Sequence, residues 1–156
     1  NSLIKEKDKN KYFKTRKNLN ISAVIMAGGF GTRLKPFTNI LPKPLIPVND
    51  KPIIKHIVDG FQQQGVKNII ISINHKAEII KAYFHEMKLN KKFKFLEEKI
   101  PLGTCGSLKL LSNKLKKDFI VTNCDTILNV DLNNLKKFHL KNKNQITIVV
   151  STKEFV

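Results

Sequence analysis

The sequence predicts an α/β fold: a Rossmann-like, three-layer α/β/α arrangement built on a mostly parallel sheet. Short apolar runs rich in Val, Ile and Phe alternate with segments of helical period from residue 21 onward. Strand–helix alternation is the signature of parallel strands joined by crossover helices. The length of 156 residues suits one domain. Apolar residues make up 41% of the chain, enough to fill a core between layers.

The elements follow in order. Residues 1–20 stand apart as a charged linker or tail, because the stretch from Lys5 to Lys17 is dense in charge and poor in apolar side chains. The folded body is expected at 21–156. Ser22–Met26 is a short apolar run that reads as a buried strand. A loop rich in Gly and Pro covers 27–51. Pro52 suits the first turn of a helix whose apolar face is Ile53, Ile54, Ile57, Val58 and Phe61, with Gly65 as its stop. Asn68–Ile73 is a second strand, and 77–84 a helix with Ile80, Tyr83 and Phe84 on one side. Residues 93–97 form a third strand, and Leu108, Leu111 and Leu115 mark a third helix. Residues 119–122 are a fourth strand. Asp131 is placed to cap a fourth helix over 132–140, and 146–151 reads as a fifth strand.

Composition excludes several function classes. No apolar run approaches the roughly 20 residues of a membrane helix, and the charged N-terminus lacks the apolar middle of a signal peptide. The two cysteines, Cys105 and Cys124, are too few for a disulfide scaffold and fit a reducing, cytoplasmic setting. The four histidines, His56, His75, His85 and His139, show no metal-ligand spacing, although His75 lies just past the second strand at the site edge. The formal charge of +17 invites a nucleic-acid partner, but only Arg16 and Arg33 among the 29 cations are arginine. Phosphate and base recognition favours arginine's forked donor, so the charge reads as a solvated lysine surface with no specific nucleic acid bound. The chain opens on Asn1 and is expected to be part of a longer protein, with a regulatory domain before it and a homo-oligomeric state as open expectations.

In a parallel sheet, ligands bind beyond the carboxyl ends of the strands. The three richest loops all follow strands. The first runs Ala27-Gly28-Gly29-Phe30-Gly31-Thr32-Arg33-Leu34. Its glycines allow close approach of main-chain amides to phosphate oxygens. A dinucleotide fingerprint fails because Leu34 stands where a small residue is needed, and no Walker string occurs. Arg33 ends the loop with a permanent charge. Lys43 follows between Pro42 and Pro44, which are expected to hold its backbone extended. Two cations flanking a glycine loop suit a polyphosphate.

The string Gly28-Gly29-Phe30-Gly31-Thr32-Arg33-Leu34, then Pro36, Thr38, Pro42-Lys43-Pro44-Leu45 and Pro47-Val48, closely resembles the signature of sugar-1-phosphate nucleotidyltransferases. Glucose-1-phosphate thymidylyltransferases and mannose-1-phosphate guanylyltransferases belong to that family. The resemblance runs from about Ile21 to the end of the chain. It implies a fold of the nucleotide-diphospho-sugar transferase type and a reaction of a nucleoside triphosphate with a sugar 1-phosphate, giving a nucleotide sugar and pyrophosphate. It also implies that Ala27, Gly28, Gly29, Gly31 and Thr32 wrap the nucleotide, that Arg33 grips its phosphates, and that Lys43 contacts phosphate near the reacting centre.

The second loop contains Glu97-Glu98-Lys99-Ile100-Pro101-Leu102-Gly103-Thr104. Family members have a similar segment lining the base pocket, with Gln or Glu five residues before the glycine; here that is Glu98, while Gly103 and Thr104 would add main-chain or hydroxyl contacts. An ionised carboxylate only accepts, which matches guanine's adjacent ring N–H and amino group; glutamine's mixed amide suits uracil or thymine better. GTP is favoured, with UTP, dTTP or CTP as alternatives, and Glu97 as the other candidate reader. The third loop is Asn123-Cys124-Asp125. The family usually has Gly where Cys124 stands, and its aspartate, here Asp125, binds the divalent metal. Mg²⁺ held by few carboxylates plus substrate phosphates fits that position. Catalytic roles are thus expected of Arg33, Lys43 and Asp125. The family's later Glu-Lys-Pro segment and second acidic ligand do not occur after Val150, so the alternative is a nucleotide-binding or regulatory fragment without turnover.

Overall fold

The computed structural model describes residues 18–89, 93–103, 105–112, 114, 115 and 117–151. Its elements are β1 (Ser22–Met26), a small hairpin of β2 (Pro47–Val48) and β3 (Lys51–Pro52), α1 (Ile53–Gln63), β4 (Asn68–Ile73), α2 (Ala77–Glu86), β5 (Lys94–Glu97), β6 (Phe119–Asn123) and α3 (Leu132–Lys141). The main sheet has the order β5-β4-β1-β6, and all its pairings are parallel. The predicted fold class holds.

The central strands β1 and β4 alternate between two apolar faces. Ala23 and Ile25 of β1, with Ile69, Ile71 and Ile73 of β4, face the larger core, filled by Ile54, Ile57, Val58 and Phe61 of α1, Ile80 and Phe84 of α2 and Leu132 of α3. Val24 and Ile70 point the other way, under Leu108, Leu111 and Leu115. Crossover handedness explains this division. The chain steps from β1 to β4 to β5 in one direction, so α1 and α2 share a face. It then returns past β4 and β1 to β6, so that connection covers the opposite face.

Local signals explain the ends of the helices. Asp131 caps α3 as expected, its carboxylate accepting from the amides of Asn133 and Asn134. Gly65, at φ 85°, ends α1, with the Val66 amide donating back to the Phe61 carbonyl at 3.0 Å.

Two expected elements differ. The third helix is a 3-10 segment, Gly106–Leu111; the three-residue spacing of Leu108 and Leu111 fits this tighter turn as well as an α-helix. Residues 146–151 form no strand. Ile146, Ile148 and Val150 are each more than three-quarters exposed, and β propensity without a neighbouring strand to pair does not make a strand. The long loop over 27–51 is more ordered than expected, holding three 3-10 turns besides the hairpin. The tail expectation covers residues 1–20, of which 1–17 lie outside the described residues; Leu19 is buried in the larger core.

Gln64 ties the helices together beneath the sheet. Its buried amide donates to the Val130 carbonyl at 3.1 Å and accepts from the Leu132 amide at 2.8 Å. Gln64→Leu strands both main-chain partners, so it should lower the unfolding free energy by about 2 kcal/mol in urea titration.

Candidate functional site

Parallel register brings the three predicted loops together. Met26 of β1 pairs with Ser72 of β4 and with Asn123 of β6, so these strands end at one level. The ladder continues one residue further: the Ala27 amide donates to Ser72, the Cys124 amide to Met26, and the Glu98 amide to Ile73. The chain leaves β1 toward β4 over one face of the sheet and reaches β6 from β5 over the other. The crevice between the β1 and β6 ends is therefore the topological switch point where such sheets bind ligands.

The glycine loop runs along the carboxyl edge of the sheet under tight steric limits, from Glu98 and Asn74 at Gly28 to Lys43 at Gly31. A Cβ on Gly28 would lie 3.1 Å from Glu98 Oε1 and 3.3 Å from the Asn74 Cβ. Gly31 sits at φ 65°, and its Cβ would meet Thr38 Cγ2 at 2.9 Å and Lys43 Cβ at 3.0 Å. The buried Thr38 hydroxyl donates to the Gly31 carbonyl at 3.0 Å. Ala27 is buried, whereas Gly29 and Thr32 are exposed. Phe30 projects outward with its ring centroid 4.8 Å from that of His75. Arg33 is exposed in the 3-10 turn Thr32–Leu34 and makes no hydrogen bond or ion pair among the described residues.

Lys43 and Asp125, 82 residues apart in sequence, meet across the crevice with Nζ 2.5 Å from Oδ2. Lys43 opens a 3-10 turn, Lys43–Leu45, rather than an extended segment. A proline early in such a turn loses nothing, since its missing N–H would have no partner there. Asp125 follows the buried Cys124, whose thiol is pushed up to about 11 by burial and then by the Asp125 charge.

Glu98 is the buried carboxylate of the site, 5% exposed beneath Gly28. The Ser72 hydroxyl donates to its Oε1 at 2.5 Å, and the Leu102 amide to its Oε2 at 3.2 Å. Its main-chain carbonyl accepts from Asn74 Nδ2 at 2.6 Å. Glu97, by contrast, pairs with Lys81 at the surface. Gly103 is exposed at φ 78°, and Thr104 lies outside the described residues.

The family model described as nucleotidyl transferase matches residues 22–155. The chain belongs to this nucleotidyl transferase family. It is 41% identical over 116 residues to a D-glycero-alpha-D-manno-heptose 1-phosphate guanylyltransferase from Campylobacter jejuni, covering 74% of this chain and 52% of that protein. It is 39% identical over 136 residues to a mannose-1-phosphate guanyltransferase from Aspergillus oryzae, covering 84% and 37%. Among solved structures, HddC from Yersinia pseudotuberculosis complexed with GMP-PN matches with a TM-score of 0.69 and 34% identity, over 77% of this chain and 54% of that one. The chain thus spans about half or less of the length of these relatives.

Within this nucleotidyl transferase fold, Gly28 lies against Glu98, and Gly31 against Lys43, which pairs with Asp125, while Arg33 is exposed. The sequence reading missed Ser72, which lies inside an apolar strand, and Asn74 and Lys76, which follow it in a short loop. Their only signal is position: they end or follow a parallel strand next to β1.

The fit of a divalent cation rests on Asp125 alone. No group of three or more His, Cys, Asp or Glu side chains suited to a metal exists among the described residues. A single half-exposed carboxylate fits Mg²⁺, which takes one or two carboxylates and completes its shell with phosphate and water.

Two measurements follow. Gly31→Ala combines a left-handed backbone with two close contacts, so urea denaturation should read a loss of about 1–3 kcal/mol. Iodoacetamide at pH 8 should label the exposed Cys105 and spare Cys124. Because the folded state holds the Cys124 proton to about 11, against 9.0 for a free thiol, its share of stability is complete below pH 9 and is lost as pH rises through 11.

Proposed function

We propose that this chain carries the nucleotide half of a nucleotidyl transfer from a nucleoside triphosphate, GTP by preference, to a sugar 1-phosphate, yielding a nucleotide sugar and pyrophosphate. The observation that carries the reading is that a glycine loop, the Lys43–Asp125 pair and a buried acceptor-only side chain, Glu98, gather at the carboxyl edge of one parallel sheet. Relatives named as guanylyltransferases support the choice of base.

A carboxylate has about four acceptor sites. Ser72 and Leu102 occupy one on each Glu98 oxygen, leaving one on each for guanine's ring N–H and amino group. Adenine would set an acceptor against the same carboxylate. Buried polar groups discriminate strongly because a mismatch leaves them unpaired.

The chemistry needs no protein nucleophile. An oxygen of the sugar phosphate attacks the α-phosphorus in line, a new P–O bond forms, and the bond to the β-phosphate breaks to release pyrophosphate. The protein's share is positioning and charge compensation. The unpaired guanidinium of Arg33 would hold the departing pyrophosphate, and Lys43 the attacking phosphate. Asp125 would hold Mg²⁺, which when bound offsets repulsion between the two polyanions. Lys43 donates one N–H to Asp125, and its ammonium has two further donors for substrate phosphate.

A second reading, a nucleotide-binding module without turnover, draws on the direct Lys43–Asp125 pair, which engages the carboxylate expected to hold the metal. A pyrophosphate-release assay with four triphosphates against a panel of sugar phosphates tests both. Turnover with GTP, reduced about ten- to a hundredfold by Arg33→Ala, is the expected result, matching the loss of one charged hydrogen-bond partner. Saturable GTP binding without pyrophosphate release selects the module. Neither binding nor turnover refutes both.

A further inference from the structure

We propose that Asn74 and Lys76, at the carboxyl end of β4, are positioning residues: Asn74 sets the base-reading loop and Lys76 sets the phosphate loop. This rests on the nucleotide site proposed above and adds residues to it that no sequence motif marks.

Three consecutive residues reach toward the two loops from one strand end. Asn74 Nδ2 donates to the Glu98 carbonyl at 2.6 Å, and the Asn74 Cβ and amide form the floor beneath Gly28. The His75 amide points at the Gly28 carbonyl from 3.5 Å, and its ring rests on Phe30. Lys76 Nζ donates to the Thr38 carbonyl at 2.8 Å, and the Thr38 hydroxyl in turn donates to the Gly31 carbonyl. An ammonium on β4's loop is thereby linked through one buried threonine to the left-handed turn of the glycine loop.

The backbone adds an independent sign. Lys76 lies at φ 54°, ψ 36°, a left-handed conformation unfavourable to a side chain bearing a Cβ. It precedes α2, and no side-chain cap compensates there. Strain of this kind persists where the surroundings dictate the conformation, commonly at ligand clamps. Here the left-handed turn accompanies the reach of Nζ to Thr38, 38 residues earlier in the chain.

The strap's two ends act on different parts of the ligand. Asn74 fixes the main chain of Glu98, so the carboxylate keeps its place under Gly28 and its remaining acceptors face one edge of a base. Lys76, through Thr38, fixes the Gly31 carbonyl and so the direction of the amides that follow it. A merely structural role would weaken every ligand together. A positioning role separates them.

The test is isothermal titration of the 156-residue chain with GTP, ATP and inorganic tripolyphosphate, each with Mg²⁺, with melting curves run alongside. Asn74→Ala should lower the GTP-over-ATP preference about tenfold, the value of one hydrogen bond, and leave tripolyphosphate affinity within about twofold. Asn74→Leu, nearly isosteric, serves if the alanine variant does not fold. Lys76→Met should weaken tripolyphosphate about tenfold and leave the base preference intact, while Lys76→Arg, which still donates to Thr38, restores affinity. Parallel loss of all three ligands in both variants, or no rescue by arginine, overturns the proposal. Wild-type chain that binds tripolyphosphate without preferring GTP refutes the guanine assignment and the role of Asn74 with it. The Lys76 half is then decided by the tripolyphosphate arm alone.

Discussion

Everything in the site depends on β1 being hydrogen-bonded on both sides in matching parallel register. Met26 lies level with Ser72 on one side and Asn123 on the other. A slip of one residue against either neighbour would turn Val24 and Ile70 toward the wrong core and carry the loops apart. The packing of two unequal apolar faces therefore does more than stabilise the sheet. It fixes the level at which the glycine loop, Glu98 and Asp125 emerge.

Much of this was legible in the sequence because the deciding signals are local. Four apolar residues in Ser22–Met26 and the isoleucines of Asn68–Ile73 identify buried strands whatever surrounds them. Asp131 before an apolar helical pattern identifies a cap. The glycine loop and the Asp125 position were likewise readable, as a long motif and as a carboxylate at a strand end. What escaped is nonlocal. Nothing near Lys43 in sequence announces Asp125, and Ser72 is a lone hydroxyl in an apolar strand whose purpose appears only with Glu98 beside it. The segment 146–151 has the composition of a strand but no pairing neighbour, and pairing is what periodicity cannot report. The 3-10 segment Gly106–Leu111 was misread because leucines three apart satisfy both helical periods.

The site also separates two kinds of recognition by dielectric environment. Glu98 is buried, its carboxylate held by a hydroxyl and an amide, where a mismatched partner is costly. Arg33 and the Lys43–Asp125 pair lie toward solvent, where charges attract at long range and rearrange at little cost. One part of the crevice is built to discriminate, the other to accommodate.

The outer edge of β6 has a colloidal consequence. β1 occupies one side of the strand, and no other strand pairs with it among the described residues, while Phe119 and Val121 on it are more than a third exposed. An open, apolar strand edge is a template for other copies. The formal charge of +17 gives every copy the same sign, and mutual repulsion then keeps such edges apart. That protection reaches only about 8 Å at physiological ionic strength and shrinks as salt is added. The lysines that invite a nucleic-acid reading would thus disperse copies of a sheet whose β5 and β6 edges are both unpaired among the described residues.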